Sequence, residues 1–132
     1  MPLPSHLVNV AGAIELCDWF GYWPTFHDAE IIRLSLNRSE PSTVEVYTWK
    51  ITGQVDKKGY YLLTKHVLVE FLLHDVIELD LSGFSKQNVI AGLDVQKTDR
   101  GYLLGLSPCY GLAGTIETTS LSIRLRRGIL QK

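Results

Sequence analysis

The sequence predicts an α+β fold: a mainly antiparallel sheet of about seven to eight strands, one N-terminal helix, and one short helix late in the chain. Helical spacing of apolar residues is confined to the stretch before Gly21. Beyond it, most segments alternate apolar and polar residues with the period of two that a half-buried strand requires. The connections between those segments are too short for βαβ crossovers, which favours antiparallel neighbours.

The elements follow in order. Leu7, Val10, Ile14 and Cys17 recur at three- and four-residue spacing and predict one helical face. Asn9 or Ser5 is placed to cap that helix, and Phe20-Gly21 to end it, because glycine tolerates the left-handed conformation that closes helices. Trp23 precedes Pro24 and is pushed towards extended backbone, so the chain re-aims there. Ile32, Leu34 and Leu36 then alternate with Arg33, Ser35 and Asn37 as a first strand.

Ser39-Glu40-Pro41-Ser42 is a turn by composition, and the β-branched and aromatic run Thr43 to Thr52 is the second strand. Asp56-Lys57-Lys58-Gly59 reads as a polar loop. Tyr60 to Leu73 is a run long enough to imply a bulge, and Val76 to Leu81 is a separate strand with Glu78 and Asp80 opposite its apolar face. Ser85 to Ala91 predicts the short helix, capped by Ser85 and ended by Gly92. Leu93 to Thr98 and Tyr102 to Ser107 form a hairpin around Asp99-Arg100-Gly101; Pro108-Cys109-Tyr110-Gly111 interrupts the pattern. Leu121, Ile123 and Leu125 alternate with Ser122, Arg124 and Arg126 in a last strand.

No linker, repeat or low-complexity tract divides the 132 residues, so residues 1–132 are expected to fold as a single domain. A hydrophobic content of 45% with 20% charged residues excludes a disordered chain and supplies a core without metal or disulfides. The formal net charge of −1 offers no whole-molecule signature for nucleic acid or an anionic membrane. Cys17 and Cys109 lie far apart and outside any Cys-x-x-Cys spacing, which fits two reduced thiols better than a secreted disulfide scaffold. The N-terminal residues show no basic region followed by an apolar core, and Val67 to Leu73 is too short to span a bilayer. A cytoplasmic location is the expectation.

Candidate chemistry concentrates at His27-Asp28-x-Glu30. A His-Asp pair serves either as a base with its orienter or as a supported metal ligand. On a regular strand, adjacent side chains point to opposite faces, so a direct partnership of His27 and Asp28 requires irregular backbone. The plainer reading is that both hold the turn between helix and sheet.

On the long strand His66, Glu70 and His74 share a face, but four residues of strand separate each by about 13 Å, too far for one metal ion. Glu78 and Asp80 share a strand face, with Asp75 and Glu70 nearby in sequence, an acidic stripe that suits either a basic partner surface or a solvated sheet face. Arg124, Arg126, Arg127 and Lys132 are its basic counterpart. Trp19, Phe20, Tyr22, Trp23 and Phe26 crowd one junction, where large rings plug a core or, in the minority, serve an interface. No glycine fingerprint or nucleophile elbow accompanies them, and no catalytic residue, metal or cofactor is assigned.

At Phe20-Gly21-Tyr22-Trp23-Pro24-Thr25-Phe26-His27-Asp28-Ala29-Glu30 the sequence resembles the Immunity protein 50 family, with Ile31-Ile32-Arg33-Leu34-Ser35-Leu36 continuing the pattern. The resemblance implies a small bacterial protein that neutralises a cognate toxin inside the producing cell by tight stoichiometric binding, without catalysis. It transfers no catalytic role to His27, Asp28 or Glu30. Trp23, His27, Asp28 and Glu30 from the motif, with Asp75, Glu78 and Asp80 from the acidic stripe, are the candidate binding residues. Two alternatives stay open: a small metal-dependent or acid–base enzyme using His27 and Asp28, and a ligand-binding homo-oligomer.

Overall fold

The structure, a computed structural model, describes residues 2–128 except for the side chain of Tyr61. Among these residues there are six strands: β1 (Glu30–Ser35), β2 (Ser42–Val55), β3 (Tyr61–Ser82), β4 (Val89–Lys97), β5 (Tyr102–Tyr110) and β6 (Ala113–Arg127). They are preceded by a 3₁₀ turn (Ser5–Leu7) and a helix, α1 (Ala13–Phe20). All pairings among the six strands are antiparallel, and the sheet closes into a barrel in the order β1-β2-β3-β6-β5-β4. Closure leaves no strand at the edge of the sheet over its whole length, which limits the exposed edges an open sheet must protect. None of the described helices is long and apolar enough to cross a membrane.

The expected count of seven to eight strands is corrected to six because two predicted strands are one. Tyr60–Leu73 and Val76–Leu81 merge in the 22-residue β3. Asp75, at φ 56°, and a register shift between Val76 and Glu78 absorb the irregularity, while β6 stays paired on both sides of it. The expected helix at Ser85–Ala91 is absent. Asn88 is buried, and its Oδ1 accepts from the Ser85 and Leu112 amides at 2.9 and 3.0 Å while its Nδ2 donates to the Ser85 carbonyl. Those bonds hold a turn instead, and β4 starts one residue later. Nor does Pro108-Cys109 end a strand: β5 runs to Tyr110, with Pro108 seated between two register shifts, where a missing N–H is tolerated.

The N-terminal face also differs from its prediction. Ala13, Leu16 and Phe20 form the buried stripe of α1, and Ile14 is exposed. The reason is a late start. Gly12, at φ 91°, is the residue before the helix, and a Cβ there would overlap the Ile123 carbonyl. Neither Asn9 nor Ser5 caps α1, whose N-terminus has no side-chain cap. In β1 a bulge between Ile31 and Arg33 puts Ile31 in the core and leaves Ile32 and Leu36 exposed.

The interior follows from strand alternation elsewhere. Val44 and Val46 of β2, Val67, Val69, Phe71 and Leu73 of β3, and Leu121 and Ile123 of β6 all point inward. β5 begins opposite Thr118, so the later half of β6 lacks a strand on that side. The N-terminal segment takes the place: Ala11 bridges Ser122 in parallel, the Ile123 amide donates to the Ala11 carbonyl at 2.7 Å, and His6 Nε2 lies 2.6 Å from the Val95 carbonyl. Leu7, Val10, Ala13, Leu16 and Phe20 thereby enter the core. An eight-residue helix is marginal alone, and this packing is what stabilises it.

Candidate functional site

Four backbone amides tie the segment from Thr25 to Ile31 to β4 and its approach. The Leu93 amide donates to the Thr25 carbonyl, Asp28 to Ile90, Ile90 to Ala29, and Ile31 to Asn88, at 2.8–3.2 Å. The register of β1 on β4 amounts to one pair, Glu30 with Val89, so these bonds are the barrel's clasp. Trp23, Phe26 and Ala29 are buried, and Phe26 meets Phe71 edge-on at a centroid distance of 5.8 Å.

Phe26 and Asp28 adopt positive φ, 64° and 67°. The intervening turn lifts His27 and Asp28 into solvent and brings His27 Nδ1 within 3.2 Å of Asp28 Oδ2. The irregular backbone that a His-Asp pairing requires is therefore present. Both side chains are more than half exposed, which weakens such a pair as an orienting device. Glu30 is half-buried at the start of β1.

The candidate binding residues divide between two ends of the barrel. His27 lines a shallow hollow of about 160 Å³ with Tyr22, Thr25, Trp49 and Ile51. Asp75 lies beside the β1–β2 turn, in a hollow with Arg38, Glu40 and His74. The whole of β1, six residues and about 20 Å of strand, stands between the two. Glu78 and Asp80 lie further along β3 and are exposed. Trp23 is 6% exposed and lines a separate hollow with Pro4, His6 and Val95. Among the described residues, no three His, Cys, Asp or Glu side chains are grouped closely enough to hold a metal ion. His66 instead bonds Tyr47 Oη at 2.7 Å and His74 bonds Ser122 Oγ at 3.1 Å. Cys17 and Cys109 are both free thiols.

The basic residues of β6 pair across the barrel's outer face. Glu45 of β2 is the register partner of Glu70 on β3, and both carboxylates are nearly covered. Arg126 spans them, at 2.9 Å to each, while Arg33 approaches Glu45 and Arg124 approaches Glu70. Directly opposed like charges destabilise a sheet, and Arg126 offsets that repulsion. Arg127 lies over the Trp19 ring. Lys132 lies outside the described residues.

Of the acidic stripe, Glu70 thus takes its cations from β6, whereas Glu78 has a different one. Arg100, in the β4–β5 turn, donates to Glu117 at 2.6 Å and Glu78 at 3.0 Å, and these partners raise its pKa. The Thr98 hydroxyl, donating at 2.8 Å, and then Arg100 hold the Glu117 carboxyl below its usual range.

Sequence reading passed over the second half of this end. The C-terminus of α1 is gripped by two lysines from the β2–β3 hairpin. Lys50 donates to the Phe20 carbonyl at 3.1 Å and lies over the Tyr22 ring, and Lys65 donates to the Trp19 carbonyl at 2.7 Å. Cations are favoured at the carbonyl-rich end of a helix. Beyond these lysines the hairpin has no strand beside it among the described residues, since β1 pairs β2 only to Tyr47 and β6 pairs β3 only from Val67. The one sequence signal was composition: apolar residues flanking a lysine-rich loop where a buried strand pair would be expected.

The geometry thus defines a small antiparallel barrel whose clasp and protruding ribbon frame one hollow. The chain belongs to the Immunity protein 50 family, whose model matches residues 12–125. That match takes in α1, the clasp and nearly all of the barrel. Neither the curated proteins nor the solved structures compared with it contained a match.

Proposed function

We propose that the protein is a non-enzymatic immunity protein that neutralises a cognate toxin by stoichiometric binding in the cytoplasm of the producing bacterium. Membership of the Immunity protein 50 family carries this reading. The disposition of the motif supports it. Trp23 and Phe26 fill the core, the backbone from Thr25 to Ile31 clasps the barrel, and His27 and Asp28 pair in the open. These are framework roles, and a blocking protein needs a rigid framework and a surface rather than turnover. An interface of the usual size, about 1,200–2,000 Å² in total, is within reach of a chain this large.

Co-expression with the product of the adjacent toxin gene tests the reading. Protected growth and a one-to-one complex by size-exclusion chromatography with light scattering are expected. A toxin that kills regardless and elutes alone would sink it.

A further inference from the structure

The ribbon formed by residues 50–65 has the makings of a contact element. Ile51, Val55, Tyr60, Leu62 and Leu63 are 41–70% exposed, and Ile51 is the register partner of Leu63. Exposed apolar residues concentrated on one protrusion mark interaction surfaces. Beyond Lys50 the β2 edge of the ribbon is open among the described residues, leaving backbone donors and acceptors that a partner strand can take up.

The ribbon is also held in shape. Thr52 Oγ1 accepts from the Gln54 amide and donates to the Leu62 carbonyl, steadying the bulge at Gly53. Asp56 Oδ1 accepts from the Lys58 and Tyr60 amides at the tip. At the base, Lys50 and Lys65 anchor it to α1. A preorganised element loses less entropy on binding.

Charge selects the partner. The ribbon carries Lys50, Lys57, Lys58 and Lys65 against Asp56 alone, on a chain of formal net charge −1. We propose that this ribbon, with Trp49 and the hollow at its base, is the element that grips the toxin, through an acidic toxin surface with an apolar centre. The inference rests on the functional reading above and specifies where that binding happens. A protein surface fits better than nucleic acid, because four aliphatic side chains are displayed and Lys57 and Lys58 are the only tip cations.

The test uses the full chain and the purified product of the adjacent toxin gene. Lys57→Glu/Lys58→Glu is expected to slow association about tenfold at low salt and to reduce its salt dependence. Ile51→Ser/Leu63→Ser is expected to weaken Kd about 100-fold, mainly through dissociation. All four side chains lie outside the barrel, so the thermal midpoint should match the wild type and certify the fold. If the wild type binds and both variants bind as tightly, the ribbon assignment alone is overturned. If the wild type binds no toxin, the functional reading falls and the ribbon assignment with it. Self-association abolished by the same substitutions, or tight binding of a duplex DNA or RNA probe in fluorescence anisotropy, would also overturn it.

Discussion

Trp19 and Lys65 bond each other in both directions. The lysine ammonium donates to the tryptophan carbonyl at 2.7 Å, the indole N–H donates to the lysine carbonyl at 3.2 Å, and the ammonium lies 5.2 Å from the ring centroid. This contact couples the end of α1 to the base of the ribbon. It is partly exposed, so its worth is modest. Both hydrogen bonds end on backbone carbonyls that alanine retains, so a double-mutant cycle of Trp19→Ala and Lys65→Ala isolates the ammonium–ring contact, with a predicted coupling of about 0.5–1 kcal/mol in urea unfolding. Lys65 sits at φ 54°, and the cycle cancels the backbone cost of replacing it. Additive effects would show that the two groups meet without stabilising each other.

Within the motif, core and turn residues should respond to truncation by very different amounts. Phe26→Ala removes a buried ring packed on Phe71 and is predicted to cost about 3–5 kcal/mol. His27→Ala, on an exposed side chain, should stay within about 0.5 kcal/mol. Asp28 holds a left-handed conformation, so Asp28→Ala should cost about 1 kcal/mol while Asp28→Gly is tolerated. Chemical denaturation of the four variants distinguishes a structural motif from a dispensable one; a His27→Ala loss matching that of Phe26→Ala would contradict the assignment.

Gly12 marks where helix and strand meet backbone to backbone. Alanine there would strain φ and collide with the Ile123 carbonyl, at a combined cost on the order of 3 kcal/mol. Gly21→Ala, also at positive φ but with nothing within 4 Å, should cost only about 1 kcal/mol. Thermal unfolding of the two variants separates close approach from conformation. Equal losses would mean that the contact with β6 relaxes freely.

Arg126 is predicted to matter through what it leaves behind. Arg126→Ala exposes Glu45 and Glu70 to each other in nearly covered positions, and a loss of about 1–3 kcal/mol is expected. Adding Glu70→Gln should restore much of it by removing the repulsion. Failure of that rescue in equilibrium unfolding would show the arginine acting by packing alone.

Glu117 gives the acid limb of stability a definite sign. Its carboxyl is held below the usual 4.5 by the Thr98 hydroxyl first and Arg100 second. The folded state thus binds this proton less readily than the unfolded chain. The contribution is complete above the unfolded value and is lost as pH falls through it towards the folded one. Glu117→Gln and Thr98→Val should each flatten the decline of thermal midpoint below about pH 5. Curves parallel to the wild type would remove Glu117 from the account.

The sequence by itself determined the α+β class, the antiparallel pairing, the β4–β5 hairpin, the alternation of β6 and the family signature at Trp23–Glu30, because each depends on short-range periodicity or local turn chemistry. It also indicated that His27 and Asp28 could meet only on irregular backbone, which two positive φ angles supply. Tertiary structure alone decided the rest. Whether a strand breaks at Asp75 depends on β6 remaining paired across it. Which face of α1 is buried depends on Gly12 reaching Ile123, and whether residues 85–88 turn or coil into a helix depends on Asn88 finding Leu112. The β2–β3 ribbon looked like one more strand pair. Only barrel closure, which gives the strands two neighbours along part of their length, exposes residues 50–65 as the part left outside among the described residues. Long-range pairing has no local period, and that is why the clasp was legible as a motif while the ribbon was not.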